Sequence, residues 1–421
     1  MLNKIAQTFA SKIFAGVFNL LTIILTARFL GAEGRGTASL IITSIAIIMV
    51  LSNLVGGTVL VYLSPRHRMS ELIAPSILWA VTMSIAGTFL LSGFNLINKE
   101  YIPHIFILTI INSLSSNNLM ILLGKENIKA NNLLGLLQSF TILIVVLVSF
   151  YFLKYFEVKA YVTGLYFSYL SVLIVSSILV SKYFDGFKNI RFKDIFLKML
   201  RYGFLVQLSA ALSLLTYRMS YYMIEAHEGR AGVGIFSVGV SLSEAIWLLG
   251  NSIAMNLFSK VANTEDKQIS QDLTVRLTRF SLAATFVILL PLLLMPSFVF
   301  KMVFGEGFEK VHSVILCLGP GILFYNLNIV LNHYFSGTGK YRICTQAAAL
   351  GFTLVLVLNY FLIPAYGIYG AGAASSLAYI LMGLYQGWVF KKDSGVRWRD
   401  FIITSADLIL VFSYSKKWLG R

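Results

Sequence analysis

The chain has 421 residues, 57% of them hydrophobic and only 12% charged, and its mean hydropathy is +0.78. These values lie outside the range of water-soluble domains and exclude a soluble catalytic domain built from what remains. The net charge of +16 reads as a membrane-topology signal with some attraction to anionic membrane lipids, not as nucleic-acid binding.

Apolar stretches near twenty residues, each long enough to cross roughly 30 Å of hydrocarbon, recur along the whole chain. Twelve are predicted, at 8–30, 38–62, 73–97, 102–123, 133–153, 161–181, 203–226, 232–258, 280–303, 311–335, 343–363 and 370–390. Their unbroken apolar runs lack the period-2 alternation of a membrane barrel, so the predicted fold class is all-α and polytopic. Short connections carry the turn formers and charges: Gly31 to Gly36 after the first span, Gly124-Lys125-Glu126-Asn127 after the fourth, Gly337-Thr338-Gly339-Lys340 after the tenth.

Lysine and arginine set the orientation. With a cytoplasmic N-terminus, 24 of the 34 basic residues fall in cytoplasmic segments, from Lys4 through the run 182–201 to Arg421. Arg35, Lys99, Lys154, Lys159, Arg230, Lys301 and Lys310 fall on the opposite side, and both termini are predicted inside. Lys4 precedes an apolar stretch too long for a signal peptide, so that stretch is kept as the first helix. Cys317 and Cys344 both lie in spans and suggest neither a disulfide framework nor a metal site.

The chain also echoes itself. Glu33-Gly34-Arg35-Gly36 after the first span reappears as Glu228-Gly229-Arg230-Ala231 after the seventh, and Gly124-Lys125 leading to Tyr151-Phe152-Leu153 reappears as Gly339-Lys340 leading to Tyr360-Phe361-Leu362. Two six-helix lobes follow, 1–181 and 203–391, joined by a basic cytoplasmic linker at 182–202. An even helix number per lobe makes the repeat parallel, with a pseudo-twofold axis along the membrane normal. The tail 392–421 is cytoplasmic, and its stretch from Phe401 to Tyr414 reads as an interfacial or lobe-docked helix or as a loose end.

Phe29-Leu30-Gly31-Ala32-Glu33-Gly34-Arg35-Gly36, the run from Asn359 to Ser375, Phe304-Gly305-Glu306-Gly307-Phe308 and Phe335 to Lys340 resemble the Wzx-type polysaccharide (O-antigen and capsule repeat-unit) flippases. These belong to the multidrug/oligosaccharidyl-lipid/polysaccharide superfamily. The likeness covers residues 1 to about 390. It implies two lobes in a MATE-like V around a central cavity whose access alternates. Phe258-Ser259 stands where many relatives place a proline.

Function is read from polar groups the bilayer would otherwise reject. Arg218 lies deep in the seventh span, where a lipid-facing guanidinium is costly, so it should face the lobe interface. Its fork suits phosphate oxygens, and Tyr217, Tyr221 and Tyr222 offer aromatic and hydroxyl surface for sugars. The competing reading is an internal pair with Glu225 or Glu244. Glu244, halfway through the eighth span, is the coupling-ion candidate or else Arg218's structural partner. Lys12 and Arg28 on the first span either snorkel to headgroups or join Arg218 in a cationic path. Amides such as Asn19, Asn53, Asn112, Asn117, Gln138, Gln207, Asn251 and Asn326 either bridge helices or line a glycan cavity. His333 reads as structural.

No nucleotide loop, zinc spacing or nucleophile-base set is present, so neither a cofactor nor enzymatic activity is expected. The resulting expectation is a monomeric flippase in the bacterial cytoplasmic (inner) membrane. It would move an undecaprenyl-diphosphate-linked oligosaccharide to the periplasmic leaflet for surface polysaccharide (O-antigen, lipopolysaccharide) synthesis, beside a polysaccharide polymerase and glycosyltransferases. A cation-coupled multidrug exporter and a non-transporting scaffold for glycosyltransferases are the alternatives.

Overall fold

The structure is a computed structural model, which describes residues 2–401 apart from 95, 97, 185, 187–191 and 265. Among the described residues there are eleven α-helices, α1 (Leu2–Ser52), α2 (Gly57–Leu63), α3 (Met69–Gly93), α4 (Ile102–Gly124), α5 (Ile128–Tyr151), α6 (Val158–Ser181), α7 (Phe192–Ala262), α8 (Lys267–Leu294), α9 (Ser297–Phe304), α10 (Val311–Gly337) and α11 (Tyr341–Ser394). Among the described residues, nine helical stretches are long and apolar enough to cross a membrane, and three of these are of double length, 54, 57 and 54 residues. Each double stretch folds back once, so the nine supply the twelve expected crossings. The chain is an all-α polytopic membrane protein of two six-helix lobes.

The fold-back points correct the expectation of ordinary loops. α1 bends at Gly31 (φ 67°), α7 at Gly229 (φ 72°) and α11 at Gly367 (φ 57°), with helix resuming directly on the far side. Only glycine takes those left-handed values cheaply, so one residue does the work of a loop. After the third bend, the Glu228 carboxylate accepts a hydrogen bond from the Ile368 amide at 3.1 Å. An anion thereby sits at the positive end of the last crossing.

Several boundaries also move. α7 begins at Phe192, inside the stretch expected as linker. The ninth crossing is α8, which ends at Leu294, and the residues expected to complete it form the separate helix α9 after Pro296. Cap geometry accounts for the start of α8: Asp266 accepts from Gln268 N and Ile269 N.

The bends correct the repeat register as well. Gly31 matches Gly229, so Gly34 matches Gly232 and Gly36 matches Gly234. The echo read from Glu33 and Glu228 is three residues out of step. Gly36 and Gly234 are where the lobes cross: a Cβ on Gly36 would fall 1.8 Å from the Arg230 carbonyl oxygen, and one on Gly234 1.9 Å from that of Ala32. At the other end of the bundle, where the chain begins, the lobes meet again. There Lys12 Nζ lies 3.4 Å from Met255 Sδ and Gln207 donates to the Val50 carbonyl at 3.3 Å.

Hydrophobic cores fill each lobe. One, around Ile48, Leu108, Val146, Phe150 and Leu165, lies in the first lobe. A larger one, around Phe236, Ile315, Val330, Tyr334 and Phe390, fills the second and reaches across the crossing to Ala27 and Leu40. Polar bridges join helices within each lobe, as in Asn118 to Ser176 and Ser177 at 3.1 and 3.0 Å and Asn359 to Ser220 at 2.9 Å. Asn326 holds Ser281 and Thr285 through its amide. These amides bridge helices, and for Asn326 that is the plainer of the two readings.

Past α11 the chain doubles back. Phe401 is buried against Phe390 at a ring separation of 6.1 Å, and Asp393 takes Lys340 at 2.7 Å and Lys267 at 3.1 Å. The tail is thus docked as far as Phe401, and the rest of the stretch to Tyr414 lies outside the described residues.

Candidate functional site

The centre of the molecule is built by the two limbs of α7, which fold against each other at Gly229 and bring position 218 opposite position 244. Arg218 Nη2 donates to Glu244 Oε1 at 2.6 Å, and Nη1 donates to the Tyr221 hydroxyl at 2.9 Å. The guanidinium also lies 5.4 Å from the Tyr217 ring centre and 5.3 Å from that of Tyr221, within cation–π range. The Arg218 side chain is 16% exposed and Glu244 34%. An ion pair drawn so far from water repays its desolvation only with good geometry, which the 2.6 Å contact supplies. Glu225, the other partner considered for Arg218, instead pairs with Arg230 at 3.5 Å.

Tyr222 points elsewhere. Its hydroxyl is 2.9 Å from Ser44 Oγ, so it ties the first limb of α7 to the second limb of α1 across the lobe boundary. Lys12 is at the chain-start end of α1 beside Met255, and makes no ion pair among the described residues. Arg28 is exposed near the bend of the same helix, close to Gly305. The structure therefore brings together Arg218, Tyr217, Tyr221 and Glu244, and leaves Lys12, Arg28 and Tyr222 at three other places.

A further charged residue escaped the sequence reading. Arg35, expected in a loop, is 6% exposed because the chain after Gly31 is helix that packs against α7. Its one hydrogen bond among the described residues is from Nη1 to Thr26 Oγ1 at 3.4 Å, and its Nε has no partner there. Among the described residues no carboxylate is within salt-bridge distance of it, and the charged groups of Arg218 and Glu244 are among its neighbours. The spacing Gly31-x-x-Gly34-x-Gly36 was the signal that could have exposed it, since a repeated glycine pattern marks close helix packing.

Behind Glu244 stands an aromatic wall that sequence reading also missed. Trp247 and Tyr325 are 4.3 Å apart between ring centres, and Tyr379 lies 4.8 Å from Tyr325 and 5.5 Å from Trp247. The Trp247 Nε1 is buried without a partner among the described residues. The site as a whole offers two guanidiniums, one carboxylate and a ring-rich surface at the lobe boundary. That charge balance suits an anion carrying sugar, and it holds no group of His, Cys, Asp and Glu fit for a metal among the described residues.

Comparison with known proteins agrees with this architecture. Over 403 residues the chain is 23% identical to a putative O-antigen transporter of Shigella flexneri, covering 88% of this chain and 93% of that protein. It is 22% identical over 230 residues to the capsular polysaccharide biosynthesis protein CapF of Staphylococcus aureus, 53% of this chain and 57% of that one. It is also 23% identical over 262 residues to the uncharacterised membrane protein MJ1068 of Methanocaldococcus jannaschii, covering 52% of that protein. For these last two, the chain spans about half the length of the curated relatives it matches. Among solved structures, the lipid II flippase MurJ in an inward closed conformation superposes with a TM-score of 0.73 at 15% identity, over 96% of this chain and 91% of that one. A multidrug resistance MATE family transporter gives 0.69 at 12% identity, over 90% and 94%. At such identities the superpositions speak for the fold. The family described as polysaccharide biosynthesis protein matches residues 1–261, well over half the chain, and the protein belongs to that family.

Proposed function

We propose that this protein is a lipid-linked oligosaccharide flippase. It moves an undecaprenyl-diphosphate-linked glycan from the cytoplasmic to the periplasmic leaflet of the bacterial inner membrane by alternating access of its two lobes. The observation that carries the reading is the largely covered Arg218 side chain at the lobe boundary, 16% exposed, hydrogen-bonded to Tyr221 and flanked by Tyr217. Guanidinium forks match diphosphate oxygens, and neighbouring rings suit sugar faces. The relatives named above, an O-antigen transporter and a capsular polysaccharide protein, and the fold shared with a lipid II flippase support it. The lipid tail stays in the bilayer while the headgroup crosses through the boundary. Both termini are cytoplasmic, the bends at Gly31, Gly229 and Gly367 are periplasmic, and the monomer contains the whole pathway.

Glu244 keeps a second reading in play, a cation-coupled exporter of small molecules on the same fold. The site's charge argues against it: a cationic drug would meet two arginines and a carboxylate already engaged by one of them. Deletion of the gene, followed by analysis of surface glycan and of accumulated lipid-linked intermediate, tests the proposal. Loss of surface glycan with build-up of the intermediate is expected. Normal glycan in the deletion strain, with altered drug tolerance, would establish the exporter instead.

A further inference from the structure

Two guanidiniums and one carboxylate share the lobe boundary, and they sum to one net positive charge, with Arg35 buried and Glu244 the most exposed of the three at 34%. Arg218 belongs to α7 and is engaged by Glu244 at 2.6 Å. Arg35 comes from the other lobe, is 6% exposed, and has only Thr26 at 3.4 Å as a hydrogen-bond partner among the described residues. Each arginine also keeps a buried Nε with no partner there. A buried guanidinium left without an anion is costly, and such a charge persists when it is neutralised in another state of the molecule or by a ligand. The other carboxylates near the bends are spoken for or face outward: Glu225 pairs with Arg230, Glu228 caps the last crossing, and Glu33 is exposed.

We infer that Glu244 is a built-in stand-in for the ligand's anion. In the state described here it occupies Arg218 while the lobes touch at both ends. An incoming diphosphate displaces it, taking the Arg218 fork with one phosphate and reaching Arg35 of the facing lobe with the other. The ligand would then tie the two lobes together, since Glu244 makes its ion pair with Arg218 and among the described residues no carboxylate is within salt-bridge distance of Arg35. Arg35 is on this account a ligand-binding residue and Glu244 a competitor of the ligand, not a ligand-binding group. The identity of the ligand as a lipid-linked diphosphate rests on the proposed flippase function, whereas the displacement itself rests only on the three side chains.

The test is anion binding by the purified full-length protein in lipid nanodiscs, read as a shift of the thermal unfolding midpoint against inorganic pyrophosphate at constant ionic strength, with sulfate as the comparison anion. Removing the internal competitor should tighten pyrophosphate binding at least about tenfold in Glu244→Gln, because a ligand no longer has to break the Arg218 pair. Glu244→Asp, which shortens the reach to Arg218 and keeps the charge, should tighten it less. Arg35→Gln should weaken binding in the wild-type background and cancel the gain in the Glu244→Gln background. Unchanged or weaker binding in both folded Glu244 variants would overturn the inference, as would an equal response to sulfate. If the binding order holds but the deletion strain still exports glycan, the displacement stands and the flippase reading fails. If deletion blocks glycan export but binding is indifferent to Glu244 and Arg35, the flippase reading stands and the displacement fails.

Discussion

Gly36 and Gly234 face each other backbone to backbone where the lobes cross: a side chain on the first would strike the Arg230 carbonyl oxygen 1.8 Å away, and one on the second would strike that of Ala32 at 1.9 Å. The two contacts are equivalent under the internal repeat, since Ala32 stands to Gly36 as Arg230 stands to Gly234. Carbonyl backbone cannot swing aside as a side chain can, so nothing larger than hydrogen fits. This is a close joint between the lobes on the side carrying the bends, one residue from the buried Arg35.

Gly36→Ala or Gly234→Ala should therefore pry this joint open, at a cost of about 1–3 kcal/mol for overpacking. Membrane insertion should survive, because each lobe keeps its own core. A cysteine at Ser44, now bonded to Tyr222 at 2.9 Å, should become reactive to an impermeant thiol reagent added from the periplasm, and glycan export should fall. Unaltered labelling and export in both variants would mean the crossing is not a gate.

Arg218→Ala should abolish export, and Arg218→Lys should restore only part of it, since a point charge lacks the fork. The arginine's removal also strands Glu244, and breaking a fully buried pair costs about 3–5 kcal/mol. With Glu244 34% exposed, the loss should be smaller. The double change Arg218→Leu with Glu244→Leu separates folding from function: membrane abundance should return to that of the wild type while export stays absent. Export by the double variant would remove the pair from the transport route.

Topology is checked by cysteine scanning. Cysteines at Asn98, Glu157 and Tyr366, beside the Gly367 bend, should label in intact cells, and those at Arg68, Asn127 and Lys392 should label only after permeabilisation. Labelling of the second set in intact cells would reverse the assigned orientation.

Driving force follows from the sign of the ligand's charge. A diphosphate carries about two negative charges, and its outward passage across an inside-negative membrane releases roughly 2.3 kcal/mol per charge per 100 mV. In sealed vesicles with the proton gradient clamped at zero, flipping should track the imposed potential and slow when it is reversed. If it followed only a proton or sodium gradient, Glu244 would be a coupling residue rather than the ligand's competitor.

What the sequence determined by itself is what depends on short range. Hydropathy over twenty residues picks out the crossings because the bilayer has no other way to satisfy backbone amides, and Lys/Arg placement predicts orientation because charged loops resist translocation. Arg218 and Glu244 were readable as one problem for the same reason: each is costly alone at membrane depth, so a mutual pair was always one answer. Gly31 shows where this kind of reading stops. Glycine, glutamate and arginine in succession look like a loop, but one left-handed residue turns the chain and lets helix resume at once, and only the packing of the second limb of α1 against α7 selects that outcome. Arg35 passed from loop to interior by the same step. Lys12, Arg28 and Tyr222 went the other way: they share helices with the site residues, yet which face each turns to its neighbours depends on helix rotation and on which crossing lies alongside. Those are settled by contacts between residues far apart in the chain, such as Ser44 with Tyr222, and so belong to the tertiary structure alone.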